Sequence, residues 1–214
     1  DGELIRQCTI DSAWALDIVD AEQQRLRDSA CRSCTNGVAR SHLLSYEREG
    51  ALLEELFTHD GSGTLIAQNP YEQARSADIN DIAGIVELIR PLEDRGALVK
   101  RSRERLEEEI GYFSILERDG RVLACAALYP YEAESVGEIA CVATHSDYRG
   151  TGRARQLLDE LIAEAKALSL THVFVLTTQS THWFLEQGFE TANLDDLPIE
   201  KQNLYNWQRN AAVL

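Results

Sequence analysis

The run Tyr148-Arg149-Gly150-Thr151-Gly152-Arg153-Ala154 decides how this chain of 214 residues is read. Ahead of it stands the apolar stretch Ile139-Ala140-Cys141-Val142-Ala143. Behind it Leu157, Leu158, Leu161, Ile162, Ala165 and Leu168 recur at helical spacings, so strand, glycine turn and helix are predicted in that order. Such a turn aims several backbone N–H groups and the positive end of a helix dipole at one spot, and its small residues let a phosphate reach the main chain. Arg149 and Arg153 would add charge-assisted, even bidentate, contacts. The turn reads as a pyrophosphate cradle. The competing reading is a surface turn with solvated arginines, since two spaced glycines alone are a weak signal.

Arg149-x-x-Gly152-x-Ala154, following Val142-Ala143-Thr144-His145, resembles the acetyl-CoA motif of the GNAT-type N-acetyltransferases. The resemblance spans about residues 74–214 and implies an α/β (α+β) GNAT fold, a mixed central sheet flanked by helices. It also implies acetyl-CoA as cosubstrate with no metal, held by Arg149, Gly150, Thr151, Gly152, Arg153 and Ala154.

Composition fits an ordinary globular protein, with 44% hydrophobic and 27% charged residues. A net charge of −15 disfavours nucleic acid and anionic membranes as partners, and would repel an anionic cofactor as well. Local clusters must then do the binding, and Arg149/Arg153/Arg155 and Lys100/Arg101/Arg103/Arg105 are available. No membrane-length apolar run and no secretory leader are recognisable, which makes the cytoplasm the default expectation. Cys8, Cys31, Cys34, Cys125 and Cys141 are odd in number and scattered, unlike a disulfide framework, and Cys31-x-x-Cys34 has no second pair with which to hold a metal. A start at Asp1 and the absence of methionine suggest a piece of a longer product.

The first part reads as a strand ending near Cys8, a helix capped by Thr9 and carrying Ala13, Leu16 and Val19, and a second helix ending at Gly37. A strand over 38–46, a short helix over 51–57, a turn at Asp60-Gly61-Ser62-Gly63 and a strand over 64–67 follow. The segments 37–43 and 50–64 resemble the end of the amino-acid-kinase domain of N-acetylglutamate synthases and acetylglutamate kinases. The resemblance makes residues 1–68 the tail of such a domain, and residues 69–214 the GNAT domain beyond a boundary at Asn69-Pro70. It also implies that His42, Glu55, Gly61 and Gly63 help hold arginine as a feedback inhibitor. A carboxylate suits a guanidinium and a glycine turn exposes backbone groups. The plainer alternative is a solvated helix glutamate and a strand histidine.

The second part predicts a helix capped by Asp78 or Ser76 and stopped by Pro91, a helix capped by Ser102, and a hairpin at Asp119-Gly120. A strand over 138–144, the turn and long helix, a strand over 172–178, a helix over 183–188 and a closing strand over 204–209 complete it. Six pieces resemble the N-acetylglutamate synthase family in particular: 88–93, 101–104, 125–130, 175–178, 182–184 and 204–206.

That family joins acetyl-CoA to L-glutamate, the entry step of arginine biosynthesis, as an oligomer in the full-length protein. Transfer to an amine needs a proton acceptor, a polarised thioester carbonyl and help for the departing thiolate. The resemblance assigns backbone donors to Cys141, Val142 and Ala143. Glu138, near the start of the same strand, is the preferred general base. Lys100, Arg101 and Arg209 are the candidates for the two carboxylates of glutamate, although Lys100 lacks the bidentate fork of the usual Arg and residue 210 is Asn where relatives have a second basic residue. Phe184 stands where many GNAT enzymes have a tyrosine acid, leaving Thr177, Ser180 or water for the thiolate. Cys141 as an acetyl-accepting nucleophile is a weaker alternative. A GNAT enzyme for another amine or a protein N-terminus, and a non-catalytic arginine-binding module, are the rival functions.

Overall fold

The computed structural model describes residues 4–58, 61–68, 72–205 and 209–214. His59 and Asp60 of the glycine turn, the Asn69-Pro70 boundary, and Asn206 and Trp207 of the expected closing strand lie outside these. The chain divides into two compact units, Asp1–Gln73 and Ala74–Leu214.

The first unit orders β1 (Gln7–Thr9), α1 (Ile10–Ala15), α2 (Ala21–Thr35), β2 (Arg40–Leu43), α3 (Ala51–Phe57) and β3 (Thr64–Ala67). β3 lies centrally, parallel to β1 and antiparallel to β2. Thr9 caps α1 as expected, accepting from the Ser12 N–H. The helix stops at Ala15, however, and leaves Val19 exposed. Ala13, Ala30, Cys31, Cys34 and Ile66 form the small core, which is where both members of the Cys-x-x-Cys pair go.

The second unit is built on a sheet in the order β4-β5-β6-β7-β8: β4 (Gln73–Ser76), β5 (Phe113–Arg118), β6 (Arg121–Tyr131), β7 (Val136–Thr144) and β8 (His172–Phe174). β5, β6 and β7 run antiparallel, whereas β7 and β8 run parallel, so the sheet is mixed. The hairpin forms where Asp119-Gly120 predicts it, both residues at positive φ. α4 (Ile82–Asp94) and α5 (Arg103–Glu109) cover one face. Their Ile85, Leu88, Ile89 and Leu106 pack on Phe113, Ile115, Cys125, Ala127, Cys141 and Ala143. α6 (Arg153–Ala167) covers the other with Leu157, Leu158, Leu161 and Ala165, against Leu116, Ala124, Ala126, Leu128 and Ile139. Each such buried Leu or Ile contributes about 1.5–3 kcal/mol.

Three expectations are corrected. Pro91 does not stop α4, which runs on to Asp94, because Pro91 and Glu87 are both exposed and the carbonyl deprived of its N–H partner lies on the solvent side. The strand over 172–178 divides at Val175 into β8 and β9 (Leu176–Thr177), and α7 (Thr181–Glu186) follows. The closing strand is β10 (Ala212–Val213), antiparallel to β9, while residue 204 ends a helix, α8 (Ile199–Leu204).

Candidate active site

The division at Val175 creates the site. β7 pairs with β8 only from Val136 to Glu138, after which residues 175–177 turn to the C-terminal strand, and Val175 and Leu214 exchange both backbone bonds. The rest of β7, to Thr144, therefore borders an opening in the sheet. A bulge sits there too: Cys125 pairs with Ala143 and Ala127 with Ala140, so Cys141 and Val142 share one partner position. Cys141 adopts a φ of 54°, a left-handed conformation costly for a side chain with a Cβ. Bulges of this kind re-aim backbone groups, and main-chain donors at the edge of an opening suit an extended amide-bearing ligand. The bulge also turns both Ala140 and Cys141 off the α6 face, which resets the alternation and keeps Ala143 on the α4 face.

At the far end of β7, a 3₁₀ turn over Ser146–Tyr148 leads into the glycine turn. Gly150 and Gly152 stand at φ 74° and 84°, and a Cβ at either would meet nothing within 4 Å. The space before the first turn of α6 is open, and its N-cap, Gly152, has no side chain to satisfy the free N–H groups. These are the conditions a pyrophosphate needs, and the residues fit it. The two arginines divide the work. Arg149 is exposed, bonded through Nε to the Thr144 carbonyl at 3.3 Å. Arg153 is buried, stacked over the Tyr148 ring at 4.9 Å and bonded to the Thr151 hydroxyl, which itself donates to the Tyr148 carbonyl at 2.6 Å. Through these contacts Arg153 braces the turn. Ala154 continues the helix.

Glu138 is 6% exposed on β7. Its Oε2 lies 2.6 Å from Lys201 Nζ and accepts from the Tyr131 hydroxyl at 3.3 Å. Directly across the strand pair is Tyr129, whose hydroxyl donates to Glu109 Oε2 at 2.7 Å while Arg105 donates to Oε1. Arg101 completes the group with its side chain 11% exposed. Its backbone N–H is held by Glu93 at 2.9 Å, yet its Nε is buried without a hydrogen-bond partner among the described residues, 3.7 Å from the Glu109 carboxylate. A buried guanidinium N–H left unbonded still has a bond to give to an acceptor.

The titrations follow from this crowding. Burial works against the charge on Arg101, but Cys141, Tyr129 and Glu109 outweigh it and its pKa is raised. Burial, then Glu109 for Tyr129 and Glu138 for Tyr131, push both phenols up, so they remain donors. Glu109 is lowered: burial opposes its charge, and bonds from Tyr129 and Arg105 prevail. Burial raises Cys141 to about 11 against the opposing pull of Arg101, and Cys125 rises too, so neither thiol is a ready nucleophile.

The other expected residues divide. Arg209 donates to the carbonyls of Gly96 and Ala97 at 3.0 and 3.1 Å, bracing the loop that leads to Arg101. Lys100 is 75% exposed, its Nζ 3.6 Å from the Asp94 carboxylate. Thr177, buried on β9, accepts from the Ser180 N–H at 3.0 Å, which leaves its own proton to give. In the first unit His42, Glu55, Gly61 and Gly63 do come together. His42 Nδ1 meets Glu55 Oε1 at 2.5 Å, and Glu55 Oε2 accepts from the N–H groups of Ser62 and Gly63 at 2.6 and 2.9 Å. Burial opposes the Glu55 charge, but these bonds hold its pKa low. A Cβ on Gly61 would lie 2.3 Å from Glu55 Oε2, so glycine is what lets the turn wrap the carboxylate. Tyr129, Tyr131, Glu109 and Lys201 were not anticipated. The alternation of 129 and 131 across from 138 was readable once the register was known; Lys201 sits on a helix that gave no periodic signal.

Residues 79–189 match the model of the acetyltransferase (GNAT) family. The chain belongs to the GNAT family. Its sheet, opening and turn are the GNAT fold, and the match covers the second unit from α4 to just past α7. The GNAT chain is 55% identical over 190 residues to the amino-acid acetyltransferase of Proteus mirabilis, covering 89% of this chain and 43% of that one. It thus spans less than half the length of the curated relatives it matches. Among solved structures, the whole GNAT chain superposes on N-acetylglutamate synthase from Neisseria gonorrhoeae complexed with coenzyme A and L-arginine, with a TM-score of 0.80, 38% identity and 49% of that chain covered. A complex of the same enzyme with coenzyme A and N-acetyl-glutamate gives 0.66, 39% and 51%.

Among the described residues no helix of this GNAT chain is long and apolar enough to cross a membrane. No group of three or more His, Cys, Asp or Glu side chains among them forms a metal-binding set.

Proposed function

We propose that the chain transfers acetyl from acetyl-CoA to the α-amino group of L-glutamate, giving CoA and N-acetyl-L-glutamate, the first step of arginine biosynthesis. The observation that carries this is the bulged half of β7 beside its opening, with Glu138 at one end and the unfilled Arg101 Nε close by. Main-chain donors for a thioester, a carboxylate for an ammonium proton and a buried cation for a carboxylate belong to one strand and its neighbours. The kinship with amino-acid acetyltransferases, and with an enzyme seen with coenzyme A and N-acetyl-glutamate, supports the same substrates.

Acetyl-CoA supplies an acetyl group activated as a thioester. Arg149 and the N–H groups of Gly150, Thr151, Gly152 and the first turn of α6 hold its pyrophosphate, with Arg153 and Ala154 supporting the turn. Cys141, Val142 and Ala143 present N–H groups to the pantetheine arm and thioester carbonyl. Arg101 takes a carboxylate of glutamate. Arg209 acts by bracing the 96–97 loop, and Lys100 contributes charge at the rim. Glu138 accepts one ammonium proton through a water, the amine attacks the thioester carbon, and as the C–S bond breaks Thr177 relays to the leaving sulfur the second proton that the new amide nitrogen releases, ending with its own hydroxyl restored.

We read the first unit as the remnant of an amino-acid-kinase-like domain that binds L-arginine as inhibitor. Glu55 is spent on ordering the turn, so recognition falls to His42 and to the turn carbonyls; Gly61 O already accepts from the Arg6 guanidinium at 3.1 Å. The enzyme acts in the cytoplasm, as a homo-oligomer in its full-length form.

The test is CoA release from acetyl-CoA with L-glutamate, other amino acids or a peptide as acceptor, for the wild type and Glu138→Gln. Glutamate-specific release, lowered about 10²–10⁴-fold in the variant, is expected. Release with a different acceptor would overturn the substrate, and none with any acceptor while acetyl-CoA still binds would overturn the enzyme reading.

A further inference from the structure

We infer that Lys201 is the positioning residue for Glu138, gripping one carboxylate oxygen so that the other is presented to the acceptor amine. The inference rests on Glu138 being the base of the reaction proposed above. Both contacts of Glu138 fall on the same atom: Lys201 Nζ and the Tyr131 hydroxyl meet Oε2, and no described residue hydrogen-bonds to Oε1. A glutamate carboxylate rotates easily about its last torsion. The weaker bond from Tyr131, at 3.3 Å, would permit that rotation, whereas an ammonium paired with the same oxygen at 2.6 Å opposes it. Oε1 is then the oxygen left to take a proton.

Electrostatics point the same way. A buried carboxylate requires a partner, and Glu109 on α5, Glu200 on α8 and Glu138 itself all act on Tyr131 in the same direction. Arg101, Arg105 and Lys201 are the cations that answer this concentration of acid, and both arginines are engaged toward Glu109. Lys201 is therefore the charge matched to Glu138.

The helix that carries Lys201 argues for a role beyond packing. α8 has no buried residue, and Ile199 and Leu204 at its ends are 68% and 71% exposed. Gln202 ties the helix locally to the carbonyls of Asp195 and Leu197. Lys201 ties it to the sheet through Glu138, with its own side chain 25% exposed.

The test compares steady-state kinetics of Lys201→Met, Lys201→Arg, Glu138→Gln and the Lys201→Met/Glu138→Gln double variant. Lys201→Met should lower kcat about 10- to 100-fold while the KM for acetyl-CoA stays within about twofold, and Lys201→Arg should restore most of the loss. In the Glu138→Gln background the methionine change should have no further effect, because a residue that acts through Glu138 has nothing left to position. Lys201→Met retaining at least half of kcat, or lowering the activity of the Glu138→Gln variant by the same factor as that of the wild type, would overturn the inference. Full activity in Glu138→Gln would instead remove the base assignment on which it rests. A crystal structure of Lys201→Met needs no turnover: a carboxylate rotated away from Tyr131 is expected, and one unchanged in place would equally overturn the role.

Discussion

Gly152 concentrates at one residue the demands of the proposed phosphate turn. Its φ of 84° lies where a side chain strains the backbone, and it occupies the N-cap of α6, where any cap bond from a side chain would use up an N–H meant for a ligand. Space is not the constraint, since a Cβ would meet no neighbour within 4 Å. Gly152→Ala should therefore destabilise the fold by about 1–2 kcal/mol through the backbone alone. It should weaken coenzyme A further, because relief of the strain rotates the first N–H groups of the helix. Thermal unfolding and calorimetric titration with coenzyme A together test this. Unchanged affinity beside a lowered Tm would show that the turn does not hold the pyrophosphate. Cys141 makes the same kind of demand with the opposite residue choice: a side chain is kept at φ 54° in spite of the cost, buried in the core cluster that also holds Cys125.

At the scale of elements, a charged knot joins β4, β5 and the start of α4. Arg75 grips Asp81 with two bonds of 2.7 and 2.8 Å and reaches Glu117 at 2.9 Å, while Asp81 also accepts the Asp78 N–H. The Arg75 bond first, over the opposing effect of burial, lowers the pKa of Asp81. A carboxyl depressed in the folded state binds fewer protons there than in the unfolded chain. Its stabilisation is then complete above the unfolded value, about 3.9, and is lost as the pH falls through the folded one. Urea titrations from pH 7 down to 3 should show the wild type losing stability faster than Asp81→Asn below about pH 4, the two curves converging toward acid. Parallel curves would mean that the knot contributes nothing proton-linked. Most elements were legible beforehand, because they carry their own local signals: the Thr9 and Ser102 caps, the Asp119-Gly120 hairpin and the apolar stripe of α6 all act within a few residues. What could not be read depends on distant partners. The end of β8 at Phe174 is decided by the C-terminal strand that captures Val175. The bulge at Cys141 is decided by β6, and the Lys201 contact by a six-residue helix with no buried face. Likewise the sequence nominated Glu138, Arg101 and Cys141 for the candidate site, whereas the exposure of Lys100 and the burial of Arg153 required coordinates.

The whole molecule carries a net charge of −15, and this sets a problem for the polyanionic cosubstrate proposed above. At an ionic strength of 0.01 M the screening length is about 30 Å, comparable with the size of a domain, so an approaching coenzyme A would feel the full acidic field. At 0.15 M the length falls to about 8 Å, and only the groups lining the turn remain in view. Arg149, exposed at that turn, then dominates what the ligand meets. The association rate of coenzyme A should accordingly rise with added salt over this range, the reverse of an electrostatically steered pair. The contact with Arg149 is made within the screening length, so Arg149→Ala should weaken binding by roughly tenfold at low and moderate salt alike, in line with the loss of a charge-assisted bond. Stopped-flow association measured at several salt concentrations, for wild type and Arg149→Ala, separates the two effects. A wild-type rate that falls as salt is added would mean that a local positive field outreaches the acidic surface, and that the net charge does not govern the encounter.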